Sequence, residues 1–148
     1  MKFAFILMLS FVSLGTYSQT EKQKDSAARN LAPIENKAIV YILRPTSFGS
    51  AIRMNVHCDS TLIGTTNANS YLYLIVDPGN YLIRSKAENK SELPVTVEAG
   101  KIYYIEQSVK MGIVYARANL LLVDEEKGKK FMKKCKLAKS NEYMAMQN

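Results

Sequence analysis

From Lys37 to about Val123 the chain is a succession of short apolar or alternating runs broken by Gly, Pro, Asn, Asp and Ser, which is the pattern of many short strands. Ala38 to Arg44 is apolar on both faces, as a central strand would be, and Pro45 ends it by removing a ladder donor. Ser47 to Ser50 reads as a loop. In Ala51 to Cys58 the alternation is clean: Ile52, Met54, Val56 and Cys58 share a core face, while Arg53, Asn55 and His57 share a wet one. Asp59-Ser60 turns the chain, Leu62-Ile63 forms a short strand, and Gly64 to Asn69 leads into Ser70–Lys86. There two β-forming runs flank Asp77-Pro78-Gly79-Asn80, which predicts a hairpin, with Pro78 preset for the turn and Gly79 supplying a positive φ. Leu93, Val95 and Val97 point inward opposite Pro94, Thr96 and Glu98, and Pro94 marks an edge strand. Ala99-Gly100-Lys101 turns into a strand at Ile102–Val109, Met111-Gly112 turns again, and Tyr115–Val123 is the last strand. The sum is a mainly β chain, an antiparallel β-sandwich.

After Val123 the period changes. Asp124 can cap a helix through its side-chain oxygen, Glu125 and Glu126 suit the positive end of the helix, and the lysines that follow suit the other end. Phe131, Cys135 and Ala138 form a narrow apolar stripe able to lie on a sheet, while Gly128 leaves the start of the helix open. At the other terminus, Lys2 precedes an apolar run from Phe3 to Leu14 and small residues follow, the pattern of a secretory signal peptide cleaved after Ser18. The division is therefore 1–18 signal peptide, 19–36 polar linker in which Asp25 to Asn30 can form a short helix that is marginal in water without a packed face, 37–138 sandwich with its C-terminal helix, and 139–148 flexible tail. These features imply an exported protein, periplasmic or extracellular, without a transmembrane segment once the signal is cleaved. No cysteine stands near the cleavage site to carry a lipid.

The formal charge of +7 is concentrated in Lys127, Lys129, Lys130, Lys133, Lys134, Lys136 and Lys139. Without interleaved aromatics these do not read bases, so nucleic acid is not an expected partner. A solvated helix face is the simpler reading, and an electrostatic tether to anionic lipid or glycan is its alternative. The one histidine, His57, neighbours Cys58, but successive strand residues point to opposite faces, so the two do not form a catalytic pair. No zinc or calcium spacing is present, and no cofactor or metal site is expected. A small envelope hydrolase would need a pocket gathering Asp59, Asp77, Glu106 or Asp124 with His57. Cys58 and Cys135 are both expected to face one core, either bridged or as two buried free thiols. Tyr41, Tyr71, Tyr73, Tyr81, Tyr103, Tyr104 and Tyr115 fall in expected strands, as packing residues or as a binding platform.

From Val56 to Arg84 the order of strand, Asp turn, Ile-Gly step, aromatic strand, Asp-Pro-Gly and returning strand resembles PEGA-type domains. The wider set Val40-Tyr41-Ile42-Leu43-Arg44-Pro45, Gly64, Tyr71-Leu72-Tyr73, Pro78-Gly79, Gly100-Lys101-Ile102-Tyr103-Tyr104 and Leu122-Val123-Asp124 resembles an uncharacterised family of small bacterial envelope proteins, often lipoproteins, with a PEGA-like sandwich. The matching residues Asp59, Gly64, Asp77, Pro78, Gly79 and Gly100 are structural. The resemblance implies a non-enzymatic binding or accessory role at the envelope, with an envelope protein or glycan as partner. Asp59-Ser60 replaces the usual Asp-Gly turn, and the lipid-bearing cysteine is missing.

Overall fold

The computed structural model describes residues 20–139. The signal peptide expected at 1–18 and nearly all of the tail expected at 139–148 lie outside the described residues. The chain runs α1 (Glu21–Arg29), β1 (Ala38–Arg44), β2 (Met54–Cys58), β3 (Thr61–Thr66), β4 (Ser70–Val76), β5 (Gly79–Lys86), β6 (Lys90–Val97), β7 (Ile102–Met111), β8 (Ala116–Val123), α2 (Glu125–Met132) and β9 (Lys136–Leu137). Two sheets form a sandwich, a five-stranded one ordered β8-β7-β1-β4-β9 and a four-stranded one ordered β3-β2-β5-β6. Most pairings are antiparallel, but β1 runs parallel to β7 and β4 parallel to β9.

β1 shows why its sequence is apolar throughout. All seven of its residues are buried. Ala38, Val40 and Ile42 face the sandwich core with Val56, Cys58, Ile83, Leu74 and Ile105, while Ile39, Tyr41 and Leu43 face outward beneath the helices. The molecule thus has three layers, helices on the larger sheet and that sheet on the smaller one, and the central strand is desolvated on both sides.

The hairpin expected over Ser70–Lys86 is not formed. β4 pairs with β1 and β9, β5 pairs with β2 and β6, and Asp77-Pro78 carries the chain from one sheet to the other. The reason is competition from distant strands: β1 pairs with β4 along its whole length, and β2 and β6 flank β5 in the other sheet, so each half of the run is taken by a partner remote in sequence. Gly79 has φ +157° as the first residue of β5, not the smaller positive angle of a type II turn. The chain does reverse tightly at Asp59-Ser60, where Cys58 faces Thr61 and Asp59 takes φ +52°. Gly64 pairs with Val56 beside a bulge at Val56/His57, and Gly100 makes the β6–β7 turn at φ +77°, an angle that suits glycine.

β6 is an edge strand, as Pro94 implied. The edge of β8 is blunted by side chains of the other sheet: the Ala118 amide donates to Asn89 Oδ1 at 2.8 Å and the Leu120 amide to Ser91 Oγ at 3.2 Å.

Three further expectations are corrected. The segment 19–36 is not a bare linker: the short helix allowed at Asp25–Asn30 is α1, which begins earlier, at Glu21, with Thr20 and Gln23 in a reciprocal capping box and Ala28 buried against the sheet. The C-terminal helix starts at the Asp124 cap, as read, but ends at Met132; it buries Gly128 and Met132, and Cys135 and Ala138 lie beyond it. Tyr115, placed in the last strand by its sequence, precedes β8 and is 63% exposed.

Candidate functional site

The outer face of the larger sheet carries a cluster of tyrosines. Tyr41 stacks on Tyr104 with centroids 5.6 Å apart and planes at 14°, and meets Tyr71 and Tyr73 at 6.0 and 6.1 Å. Tyr41 and Tyr104 are register partners on β1 and β7, so strand pairing itself sets the stack. Burial, with Tyr104 adding to it, pushes the Tyr41 hydroxyl up to about 12, and that hydroxyl donates to the Ala28 carbonyl at 2.7 Å.

α1 is docked by Asp25 and Arg29. Asp25 Oδ1 accepts from the Tyr71 hydroxyl at 3.0 Å and from the Leu137 amide at 2.8 Å, and Asp25 Oδ2 pairs with Arg29. Arg29 also donates to the Cys135 carbonyl at 2.9 Å and lies 6.0 Å from the Tyr71 ring centre. Burial first, then the hydrogen bond and charge of Asp25, hold the Tyr71 hydroxyl far above its ordinary range. One carboxylate therefore ties the first helix to β4 and β9, across 46 and 112 residues of chain.

α2 packs from the other side through Gly128. A Cβ there would lie 2.2 Å from Tyr104 Cγ, so only glycine lets the helix backbone rest on the ring. Between the two helices lies a cleft of about 500 Å³, with Tyr41, Tyr104 and Ile102 below and Arg29, Lys129, Lys133 and Glu125 at its rim. Lys129 pairs with Glu125 at 2.5 Å, an exposed i,i+4 pair that solvent screens heavily.

The side chains that a hydrolase would need fall into separate groups. Glu106 and Asp124 both engage Lys127, the first at its Nζ at 3.0 Å and the second at its amide at 2.8 Å. Asp59 accepts from the Leu82 amide at 2.9 Å, Asp77 pairs with Lys37 at 2.6 Å, and the Asp77 carbonyl receives the Tyr81 hydroxyl. His57 stands on the outer face of β2, opposite in sense to Cys58. The two cysteines are free and buried, but not in one core: Cys58 lies between the sheets and Cys135 under the helices, with the larger sheet between them. Burial raises the Cys58 thiol to about 11 and the Cys135 thiol to about 12. Among the described residues no group of three or more His, Cys, Asp and Glu could hold a metal ion, and no helix is long and apolar enough to cross a membrane.

The sequence reading missed the helix latch and a buried polar network. The Arg44 guanidinium is fully buried and donates to the carbonyls of Gly49 and Ile52 at 2.7 Å and of Thr66 at 3.3 Å, while its Nε has no partner among the described residues. Next to it, Thr66 Oγ1 donates to Gln107 Oε1 at 2.5 Å and Gln107 Nε2 donates to Ser85 Oγ at 2.6 Å. Nothing in the residue pattern marks this network, since its members come from four strands. The latch did leave one signal, the Thr20-x-x-Gln23 box at the start of α1.

A family model described as a protein of unknown function, DUF2846, matches residues 34–119. The chain belongs to this family. An uncharacterized protein of Haemophilus influenzae is 30% identical over 121 residues, spanning 81% of this chain and 72% of that protein. The DUF2846 match runs from the approach to β1 into β8, so it contains Tyr41, Ile102 and Tyr104 but neither helix. In this DUF2846 protein the floor of the cleft therefore comes from the matched region and its rim from the flanking segments.

Proposed function

We propose that this protein is a non-catalytic binding module of the cell envelope, exported by its N-terminal segment, with a PEGA-like sandwich as scaffold and the Tyr41–Tyr104 cleft as its ligand site. The observation that carries the reading is the cleft itself, an apolar and aromatic floor under a rim with three cationic side chains and one carboxylate. That chemistry fits an acidic peptide segment of an envelope protein, an aliphatic side chain entering toward Ile102 and carboxylates meeting Lys129 and Lys133. The dispersal of His57, Asp59, Asp77, Glu106 and Asp124 supports binding over hydrolysis, because general acid–base work needs its groups within hydrogen-bond reach.

The test is site-specific photo-crosslinking in envelope preparations, with the reactive residue at Leu31 or Ile102 and a control at His57. The expected result is a discrete protein adduct from the cleft positions that is lost in Lys129→Glu/Lys133→Glu. The same adducts from His57, or turnover of envelope material by the purified protein, would overturn the reading.

A further inference from the structure

The β7–β8 hairpin ends in a projecting apolar tip. Met111, Ile113, Val114 and Tyr115 are 72, 103, 73 and 63% exposed. The turn is closed by the Gly112 amide donating to the Tyr115 carbonyl at 2.9 Å, and a Cβ on Gly112 would lie 2.6 Å from that oxygen. The side chains are thus held outward by a formed turn. Phe48, also exposed, adjoins Gly49, which sits against Val109 at the same end of β7.

At the base of the tip Lys110 and Arg117 are direct register partners, and both are exposed. Like charges placed directly opposite on a hairpin oppose its formation, so the fold alone gives no reason for the pair. Neither takes part in an ion pair among the described residues. No Asp or Glu occurs from Gln107 to Val123 or from Pro45 to Arg53, and on the neighbouring β5–β6 turn Glu88 is flanked by Lys86 and Lys90.

We propose that this tip inserts into the surface of an anionic phospholipid bilayer, with Met111, Ile113, Val114 and Tyr115 entering the headgroup boundary and Lys110 and Arg117 meeting lipid phosphates. Apolar groups on a convex turn above a basic collar, with an aromatic ring at the junction, have the chemistry of an interfacial anchor. A protein partner fits less well, since a stable interface buries about 800 Å² on each side and a four-residue tip offers less. In a second copy the same collar would face itself. From Tyr104 to Met111 the strand advances about 24 Å at its ordinary rise, so an inserted tip leaves the cleft at the far end of β7, directed away from the lipid.

The chain has no tryptophan, so Ile113→Trp introduces a sole reporter. Full-length protein carrying it is mixed with vesicles of phosphatidylglycerol and phosphatidylcholine, or of phosphatidylcholine alone, with brominated acyl chains as quencher. Because the apolar run from Phe3 to Leu14 can itself associate with lipid, the readout is at position 113 and not sedimentation of the chain. The expected result is a blue shift and quenching on anionic vesicles, weakened roughly 25-fold by Lys110→Gln/Arg117→Gln at about fivefold per cation lost. Lys127→Glu/Lys130→Glu on α2 should leave it unchanged. A tryptophan that stays unquenched while the chain binds vesicles would overturn the proposal, as would equal quenching on neutral vesicles. A blue shift that grows with protein concentration without lipid would assign the tip to self-association and overturn it too. Val114→Trp repeats the test should the first variant fail to show the native circular dichroism melt.

Discussion

Gly128→Ala sets helix propensity against packing. In an exposed helix alanine is favoured over glycine by about 0.8–1.0 kcal/mol, so α2 taken alone would gain. Here the added Cβ would lie 2.2 Å from Tyr104 Cγ, 2.5 Å from Cδ1 and 2.6 Å from Cβ. Reaching an ordinary carbon contact of about 3.5–4.0 Å requires a displacement on the order of 1.5 Å. The Tyr104 ring cannot yield inward, because it is stacked on Tyr41, which is itself 1% exposed and hemmed in by Tyr71 and Tyr73. The helix must move instead, uncovering Met132 and carrying Lys129 and Lys133 away from the cleft. Overpacking of this kind costs about 1–3 kcal/mol, which outweighs the propensity gain. Urea and thermal unfolding followed by circular dichroism should show a net loss of about 1–2 kcal/mol, a drop in Tm on the order of 3–10 °C for a domain of this size. In a Tyr104→Ala background the ring is gone and the same Gly128→Ala change should become neutral or stabilising by up to about 1 kcal/mol. The same sign in both backgrounds would refute the contact as the cause.

Asp25→Ala removes the acceptor of Tyr71 and Leu137 and the partner of Arg29; with a charged acceptor lost from a partly buried site, a cost of about 1.5–3 kcal/mol is expected. Hydrogen exchange should then show α1 and the β9 segment losing protection together, while β2 and β5 keep theirs. Neither thiol should react with a labelling reagent in the native protein, and denaturant without reductant should expose both. Cys58 and Cys135 are acids whose neutral forms the fold holds, at about 11 and about 12 against 9.0 in the open chain. The unfolded chain therefore binds fewer protons above pH 9, and stability, fully present below that point, should fall by up to about 1.4 kcal/mol per pH unit per thiol. Urea midpoints at pH 8, 9 and 10 check the sign, and a Cys58→Ala/Cys135→Ala protein should show a flatter profile over that range. Asn89→Ala with Ser91→Ala strips the acceptors from the β8 edge; faster exchange at Ala118 and Leu120 and more aggregation on heating are expected, and unchanged exchange would show that the edge is covered by other means.

Much of the architecture was legible because strand periodicity fixes the face on which each side chain lies. Met54, Val56 and Cys58 point inward, His57 points the other way, β1 is buried on both sides, and Asp124 caps its helix, each for a reason contained within a few residues of chain. Periodicity does not name a partner. The run from Ser70 to Lys86 has the composition of a hairpin, yet its halves belong to different sheets, because β1 claims the first half and β2 and β6 the second, and those strands lie elsewhere in the sequence. The same limit left α1 as no more than a marginal helix around Asp25 to Asn30: an isolated helix of nine residues is barely stable in water, and this one rests on Tyr41, Tyr71 and Leu137, contacts that exist only after the sheet has formed. It also misplaced the cysteines, since inward for Cys58 and inward for Cys135 are opposite sides of one sheet. The cleft combines both cases. Its tyrosine floor is set by the register of β1 against β7, whereas its rim depends on two helices from the flanks of the chain, docked by Asp25 and by the missing side chain of Gly128. Local sequence decided which way each residue faces, and tertiary packing decided what it meets there, because a face is a property of the backbone period and a neighbour is a property of the whole chain.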